Sequence, residues 1–256
     1  MTEATARAGA AATRDIVMGP AIYQLEGTPV MACWTGRSDG DQRPPEIGGE
    51  ATHGRLRVRG RRQMWLRQIH GSRVVRVDGP RDQVGQEGDA LVTVRDDVCL
   101  TIFTADCVPV ALASPEGVLA AVHAGRRGLM ASVIECTVAV MASMGATAIV
   151  AAVGPCVHPE CYELSTDELG PIAARLGDAV MATTPSSRPA LDLPAAVASA
   201  LDASGVHSIA QVGECTSCSG SYFSHRREGS VQRQAMMVWL QRGGSPVLTS
   251  AALEPE

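Results

Sequence analysis

Three short segments of this chain place metal-capable side chains beside glycine at the ends of apolar runs. Thr104-Ala105-Asp106-Cys107 leads into Val108–Ala113, and His123 closes Val118–Val122 before Ala124-Gly125-Arg126-Arg127-Gly128. Upstream, Arg67-Gln68-Ile69-His70-Gly71 ends a strand-like run that starts at Met64. Two imidazoles and one thiolate fill three corners of a zinc tetrahedron and leave the fourth for water, which is the catalytic arrangement. Taken singly, each residue has a blander reading. A cysteine in an apolar run is usually a small buried hydrophobe, and nothing here has the compact Cys-x2-Cys…His-x3-His spacing of a structural finger. The metal reading therefore rests on His70, Cys107 and His123 converging. Gly71, Gly125 and Gly128 flank the histidines, where glycine permits close backbone approach.

Positioning these residues requires strands that end near one another. Val108–Ala113 and Val118–Val122 read as two strands joined by the turn Ser114-Pro115-Glu116-Gly117. Further strands are predicted at 29–35, 63–69, 73–77, 89–94, 98–103, 148–153 and 206–212. Helices are predicted at 129–144, 166–177, 194–203 and 231–241, the third with Asp192 near its cap and Pro194 in its first turn. Thr183 to Pro189 reads as a surface loop, and 1–14 and 250–256 as frayed tails. The pattern is that of a mixed α/β protein with one domain over 15–249, without an internal repeat.

At 256 residues and 45% hydrophobic, the chain is long enough to bury a full core. A net charge of −5 offers no general attraction to nucleic acid or to an anionic membrane. Arg55, Arg57 and Arg59 alternate along one strand face, which usually means a solvated face. The chain has no Lys and no Asn, which excludes a Schiff-base lysine, a P-loop lysine, a glycosylation sequon and a Cys-His-Asn triad. Residues 1–15 lack the apolar core of a signal peptide, so a cytoplasmic location with reduced thiols is expected. The uncharged run after Cys136 is broken near Met144-Gly145 into a helix and a strand, and is not a membrane span. Cys215-Thr216-Ser217-Cys218 has no second cysteine pair at zinc-ribbon spacing. The loop-like Ser219-Gly220-Ser221 after it speaks against redox chemistry and for a place in the pocket wall.

Four segments together make the chain resemble the bacterial YfiH/YlmD-like family, long labelled multicopper polyphenol oxidase or laccase-domain proteins. They are Gln68–Gly71, Thr104–Val110, Ala121–Leu129, and a fourth region joining Val153-Gly154-Pro155-Cys156 and Cys161-Tyr162-Glu163-Leu164 to Cys215-Thr216 and Tyr222–Gly229. The likeness runs from about residue 63 to 241, and the region before residue 60 is only weakly similar. Where the family usually carries Trp, this chain has Arg126.

The resemblance implies a layered mixed-sheet sandwich and a purine nucleoside phosphorylase acting on adenosine, inosine, guanosine and methylthioadenosine, with adenosine deaminase activity. Zinc is the expected metal, with copper as an option, and His70, Cys107 and His123 are the expected ligands and catalytic groups. Zinc-dependent base deaminases couple a metal-activated water to a carboxylate that shuttles protons. Asp106 and Glu163 are the candidates for that task, and Cys156 is expected beside the metal without ligating it. Phosphorolysis needs an anion cradle suited to the planar guanidinium fork, and Arg127, Arg226, Arg227 and Arg233 are candidates by motif position. Expected partners are small purine nucleosides and phosphate, with the protein a monomer or weak homo-oligomer. Three alternatives stand beside this reading. An amidase editing a muramyl-amino-acid nucleotide would use the same site. A copper polyphenol oxidase would need several histidine-rich sites, and the chain has six histidines in all. A non-enzymatic partner of cell-division or envelope proteins would need no site.

Overall fold

Between Val98 and Ala124 the chain forms three consecutive strands in which every residue is buried, and around them the fold is built. The structure, a computed structural model, describes residues 22–49, 56–79, 84–211, 214–241 and the backbone of 253–255. The strands are β1 Ile22–Gln24, β2 Val30–Trp34, β3 Leu56–Val58, β4 Arg62–Trp65, β5 Val74–Arg76, β6 Ala90–Thr93, β7 Val98–Thr104 and β8 Val108–Ala113. They continue with β9 Leu119–Ala124, β10 Val150–Val153, β11 Met181–Thr183, β12 Pro189–Leu191, β13 Ser208–Gln211, β14 Gln234–Leu240 and β15 Leu253–Pro255. The α-helices are α1 Arg126–Met130, α2 Val133–Ser143, α3 Thr166–Leu176, α4 Leu193–Ala203 and α5 His225–Glu228.

Two mixed sheets stack face to face. One has the order β1-β2-β14-β7-β4, the other β13-β10-β8-β9-β6-β5. Strand alternation assigns the faces. Leu119 and Ala121 of β9 pack with Leu100, Ile102, Met236 and Val238 of the first sheet, whereas Ala120 and Val122 turn to the opposite side. There they meet Ile134 and Met141 of α2 and Val197 and Leu201 of α4. The result is a sheet–sheet–helix sandwich of α/β class in one domain, as the sequence implied.

Three expectations are corrected. The helix predicted at 231–241 is the strand β14, paired on both sides by β2 and β7. A strand buried on both faces shows no alternation, so its Ala, Met and Leu mimic a helical segment. The helix predicted at 129–144 starts at Arg126 and is interrupted at Ser132, whose φ of 72° is left-handed, so only five residues form α1. The surface loop expected at 183–189 is present, as the tip of the β11–β12 hairpin. Within the expected C-terminal tail, 253–255 pairs antiparallel with β3. The tail expected at 1–14 lies outside the described residues. No helix among the described residues is long and apolar enough to cross a membrane.

Candidate active site

The chain crosses between the two sheets twice near one point, once from β4 to β5 and once from β7 to β8. The first crossing carries His70 and the second carries Asp106 and Cys107. The β8–β9 hairpin pairs Pro109 with His123, which brings the residues just before β8 beside those just after His123. Consequently His70, Cys107 and His123 meet, with their ligand atoms all within 4.8 Å of one another. Cys107 Sγ lies 3.9 Å from His70 Nε2, and the two imidazoles stand edge to face with centroids 4.8 Å apart. Gly125 is required by this approach: a Cβ there would come within 2.9 Å of Cys107 Sγ and 3.3 Å of His70 Cδ2.

Asp89, immediately before β6, orients the cluster, and the sequence reading missed it. Its carboxylate is fully buried and accepts His123 Nδ1–H at 2.8 Å. It also accepts the backbone N–H of His70 at 2.9 Å, of Gly71 at 2.7 Å and of Ile69 at 3.4 Å. One anion thus holds the strained loop around His70, whose φ is 60°. It also fixes the His123 tautomer that turns Nε2 toward the cluster. A signal was present in the sequence, an acid immediately before the apolar run Ala90-Leu91-Val92.

Charge distribution follows from this arrangement. Burial opposes ionisation of Cys107, but the charge on His123 and hydrogen bonds from His123 and His70 outweigh it and bring the thiol down to about 6. Burial likewise disfavours charge on His123, and the Cys107 thiolate and Asp89 carry its pKa up to about 9. For Asp89 burial acts upward, yet its bond to His123 and the amides of Gly71 and His70 leave the carboxyl below the usual range. The donor set suits a borderline metal: two imidazoles, one with its second nitrogen anchored to a carboxylate, and a thiol that ionises readily.

The cluster opens into a cavity of ≈ 900 Å³, whose lining includes Phe103, Tyr162, Leu164 and several arginines. The candidate residues divide there. Arg127 lines the cavity, is exposed, and its guanidinium has no ion pair among the described residues. Arg233 lines it too, with its guanidinium on the carbonyls of Ser230 and Gln232. Arg226 lies over the Tyr162 ring at 5.0 Å and donates to the carbonyls of Cys161 and Glu163. Arg227 is not in the lining. Its guanidinium is taken up by the carbonyls of Thr216, Ser217, Ser219 and Tyr222 and by Glu228. Arg126 lines the cavity and pairs with Glu168 at 2.6 Å. Arg43, which no motif pointed to, lines it from the other side and pairs with Asp41.

Asp106 turns out to be a tie between segments. Its Oδ1 accepts Thr216 Oγ1–H at 2.7 Å and its Oδ2 accepts Arg226 N–H at 2.6 Å, from a backbone φ of 93°. Glu163 lines the cavity with Oε2 paired to Arg188 at 2.9 Å. Cys156 is buried and lies off the cavity, bridged through its backbone to Cys215. The Cys-x2-Cys element does not form the cavity wall either. Its two thiols meet Cys161 instead.

Comparison with known proteins places the chain in a family. The chain is 44% identical over 183 residues to a Streptomyces coelicolor protein named purine nucleoside phosphorylase, covering 70% of this chain and 75% of that one. A Mycobacterium tuberculosis protein of the same name is 39% identical over 192 residues, covering 71% and 74%. Among solved structures, YlmD from Geobacillus stearothermophilus superposes with a TM-score of 0.75 at 24% identity, covering 90% of this chain and 98% of that one. A Neisseria meningitidis protein superposes with a TM-score of 0.71, again at 24% identity, covering 86% and 99%. These last two likenesses concern the fold. Residues 50–241, which contain every side chain of the cluster and its cavity arginines except Arg43, match the sequence profile described as multi-copper polyphenol oxidoreductase laccase, and the chain belongs to that family.

Proposed function

We propose that this protein is a purine nucleoside phosphorylase that also deaminates adenosine, with zinc held by His70, Cys107 and His123. The observation that carries the reading is one cavity holding both the His-Cys-His cluster and Arg127, which has no ion-pair partner among the described residues. The shared name of its relatives supports the reaction class. The cavity volume is that of a small-molecule site and accommodates a nucleoside with phosphate.

Phosphorolysis breaks the bond from ribose C1′ to the purine while a phosphate oxygen forms a new bond to C1′, and the electron pair leaves with the base. Arg127 binds the phosphate, because neither a carboxylate nor a carbonyl among the described residues engages its guanidinium, whereas those of Arg226 and Arg233 are held by backbone carbonyls. Arg126 and Arg43 are neutralised by Glu168 and Asp41, so they shape the rim and contribute little net charge. The helix behind Arg127 has five residues, so the guanidinium carries the anion binding with little help from a helix dipole. Zinc, when bound, supplies a Lewis-acid centre for attack on the purine ring. Asp106 positions the wall through Thr216 and Arg226, since both its oxygens are engaged. Glu163 moves the proton in deamination, because only its Oε2 is engaged by a described residue.

The test is chromatography of purified protein incubated with adenosine or inosine, with and without phosphate, beside a muramyl-amino-acid nucleotide. Phosphate-dependent release of free base together with ribose 1-phosphate is expected. Cleavage of the muramyl substrate with no release of base overturns the proposal.

A further inference from the structure

A second group of thiols lies outside this cavity, and nothing in the proposed reaction uses it. Cys161 ends the short turn Pro159–Cys161, while Cys215 and Cys218 come from a turn 57 residues further on. Their three sulfurs lie within 4.8 Å of one another, and Cys161 Sγ is 3.2 Å from Cys218 Sγ. All are free thiols. Glu160 adds a carboxylate, with Oε1 at 3.5 Å from Cys218 Sγ. We propose that Cys161, Cys215 and Cys218 bind a second zinc ion, with the carboxylate of Glu160 at the fourth position.

The geometry matches what zinc demands. Zn–S bonds of about 2.3 Å in a tetrahedron separate two sulfurs by about 3.8 Å, and a carboxylate oxygen stands about 3.6 Å from each sulfur. The three sulfurs lie within 4.8 Å of one another, with Cys161 and Cys218 at 3.2 Å able to open slightly around an ion, and the Glu160 contact on Cys218 meets the second distance. The turn after Cys215 is closed by the Ser219 N–H on the Cys215 carbonyl at 2.9 Å, which brings both sulfurs of the Cys-x2-Cys element to one side. The backbone N–H of His158 points at Cys215 Sγ from 3.4 Å, a donor of the kind that stabilises a metal-bound thiolate. Burial grades from Cys215, buried, through Cys161 to Cys218, exposed, so the ion has a route from solvent. Four protein ligands close the coordination sphere, which is the structural rather than the catalytic form of zinc site.

Its consequence reaches the cavity. Thr216, between the two cysteines of the turn, donates to Asp106, and the Cys161 carbonyl accepts from Arg226. A metal joining these two segments fixes the wall that carries Asp106, Tyr162 and Arg226. The inference is independent of the proposed reaction and of the first metal site.

The experiment counts zinc by elemental mass spectrometry in full-length protein purified under reducing, chelator-free conditions. Two zinc ions per chain are expected in the wild type, one in Cys218→Ser and one in Cys107→Ala. Loss of zinc on going from wild type to Cys218→Ser supports the second site even where the first carries none. An unchanged zinc count in Cys218→Ser overturns it, as does a Cys161–Cys218 disulfide in the reduced-purified protein. Should the variant fold poorly, alkylation of the wild type decides. Zinc protects Cys161 and Cys218 from iodoacetamide until chelator is added, and equal labelling with and without chelator overturns the proposal.

Discussion

Replacing Asp89 by Asn tests whether one buried carboxylate organises the cluster. Oδ1 accepts from His70 N and His123 Nδ1, and Oδ2 from Gly71 N and Ile69 N. An amide keeps one oxygen and points its NH2 at two donors. Losing two charge-assisted bonds at about 1.5–3 kcal/mol each gives an upper range of about 3–6 kcal/mol. Relaxation and relief of the buried charge bring the expected loss to about 3 kcal/mol. For a chain of this size 1 kcal/mol corresponds to about 2–4 °C, so Tm falls by roughly 6–12 °C. The amide also favours the His123 tautomer with Nε2 protonated, which cannot ligate, and zinc affinity falls about 10- to 100-fold. The assay pairs thermal melts of chelator-treated protein with zinc competition against a chromogenic chelator. A variant that melts like wild type and binds zinc within about twofold of it would refute the assignment.

Arg127→Ala is expected to abolish phosphate-dependent base release while leaving part of the phosphate-independent deamination. Equal loss of both with zinc retained would mean that Arg127 supports the scaffold. By contrast, Arg227→Ala removes a guanidinium bound by four carbonyls, so it lowers Tm without selectively raising the KM for phosphate. In chelator-treated protein, Cys107 is expected to be alkylated by iodoacetamide with a midpoint near pH 6, not near pH 9. The sign follows because His123 and His70 stabilise the reactive thiolate, so ionisation moves to lower pH, and a midpoint above 8 would contradict the charge pairing. Gly125→Ala drives a methyl group toward Cys107 Sγ and His70 Cδ2, at a cost of about 1–3 kcal/mol. It is expected to weaken zinc binding about 10-fold, and unchanged affinity would show that the cluster yields without cost.

Local chemistry written in the chain determined a good part of this protein. The turn at Ser114–Gly117 and the apolar runs beside it define the β8–β9 hairpin, because turn residues and strand length are local properties. Asp192 caps α4 for the same reason. The identities of His70, Cys107 and His123 were legible as metal-capable residues at strand ends. Tertiary structure alone decided the rest. Gln234–Leu240 is a strand because β2 and β7 bond to both its edges, which outweighs the helix propensity of its Ala, Met and Leu. Convergence of the three side chains depends on two crossings between sheets and on a hairpin register, each joining residues far apart in sequence. Asp89 acquires its role only once a loop and a strand end are folded around it. Arg127 and Arg227 look equivalent in the sequence, yet one guanidinium faces the cavity and the other is consumed by a loop. Which hydrogen-bond acceptors surround a guanidinium depends on the folded backbone, and residue type carries no record of it.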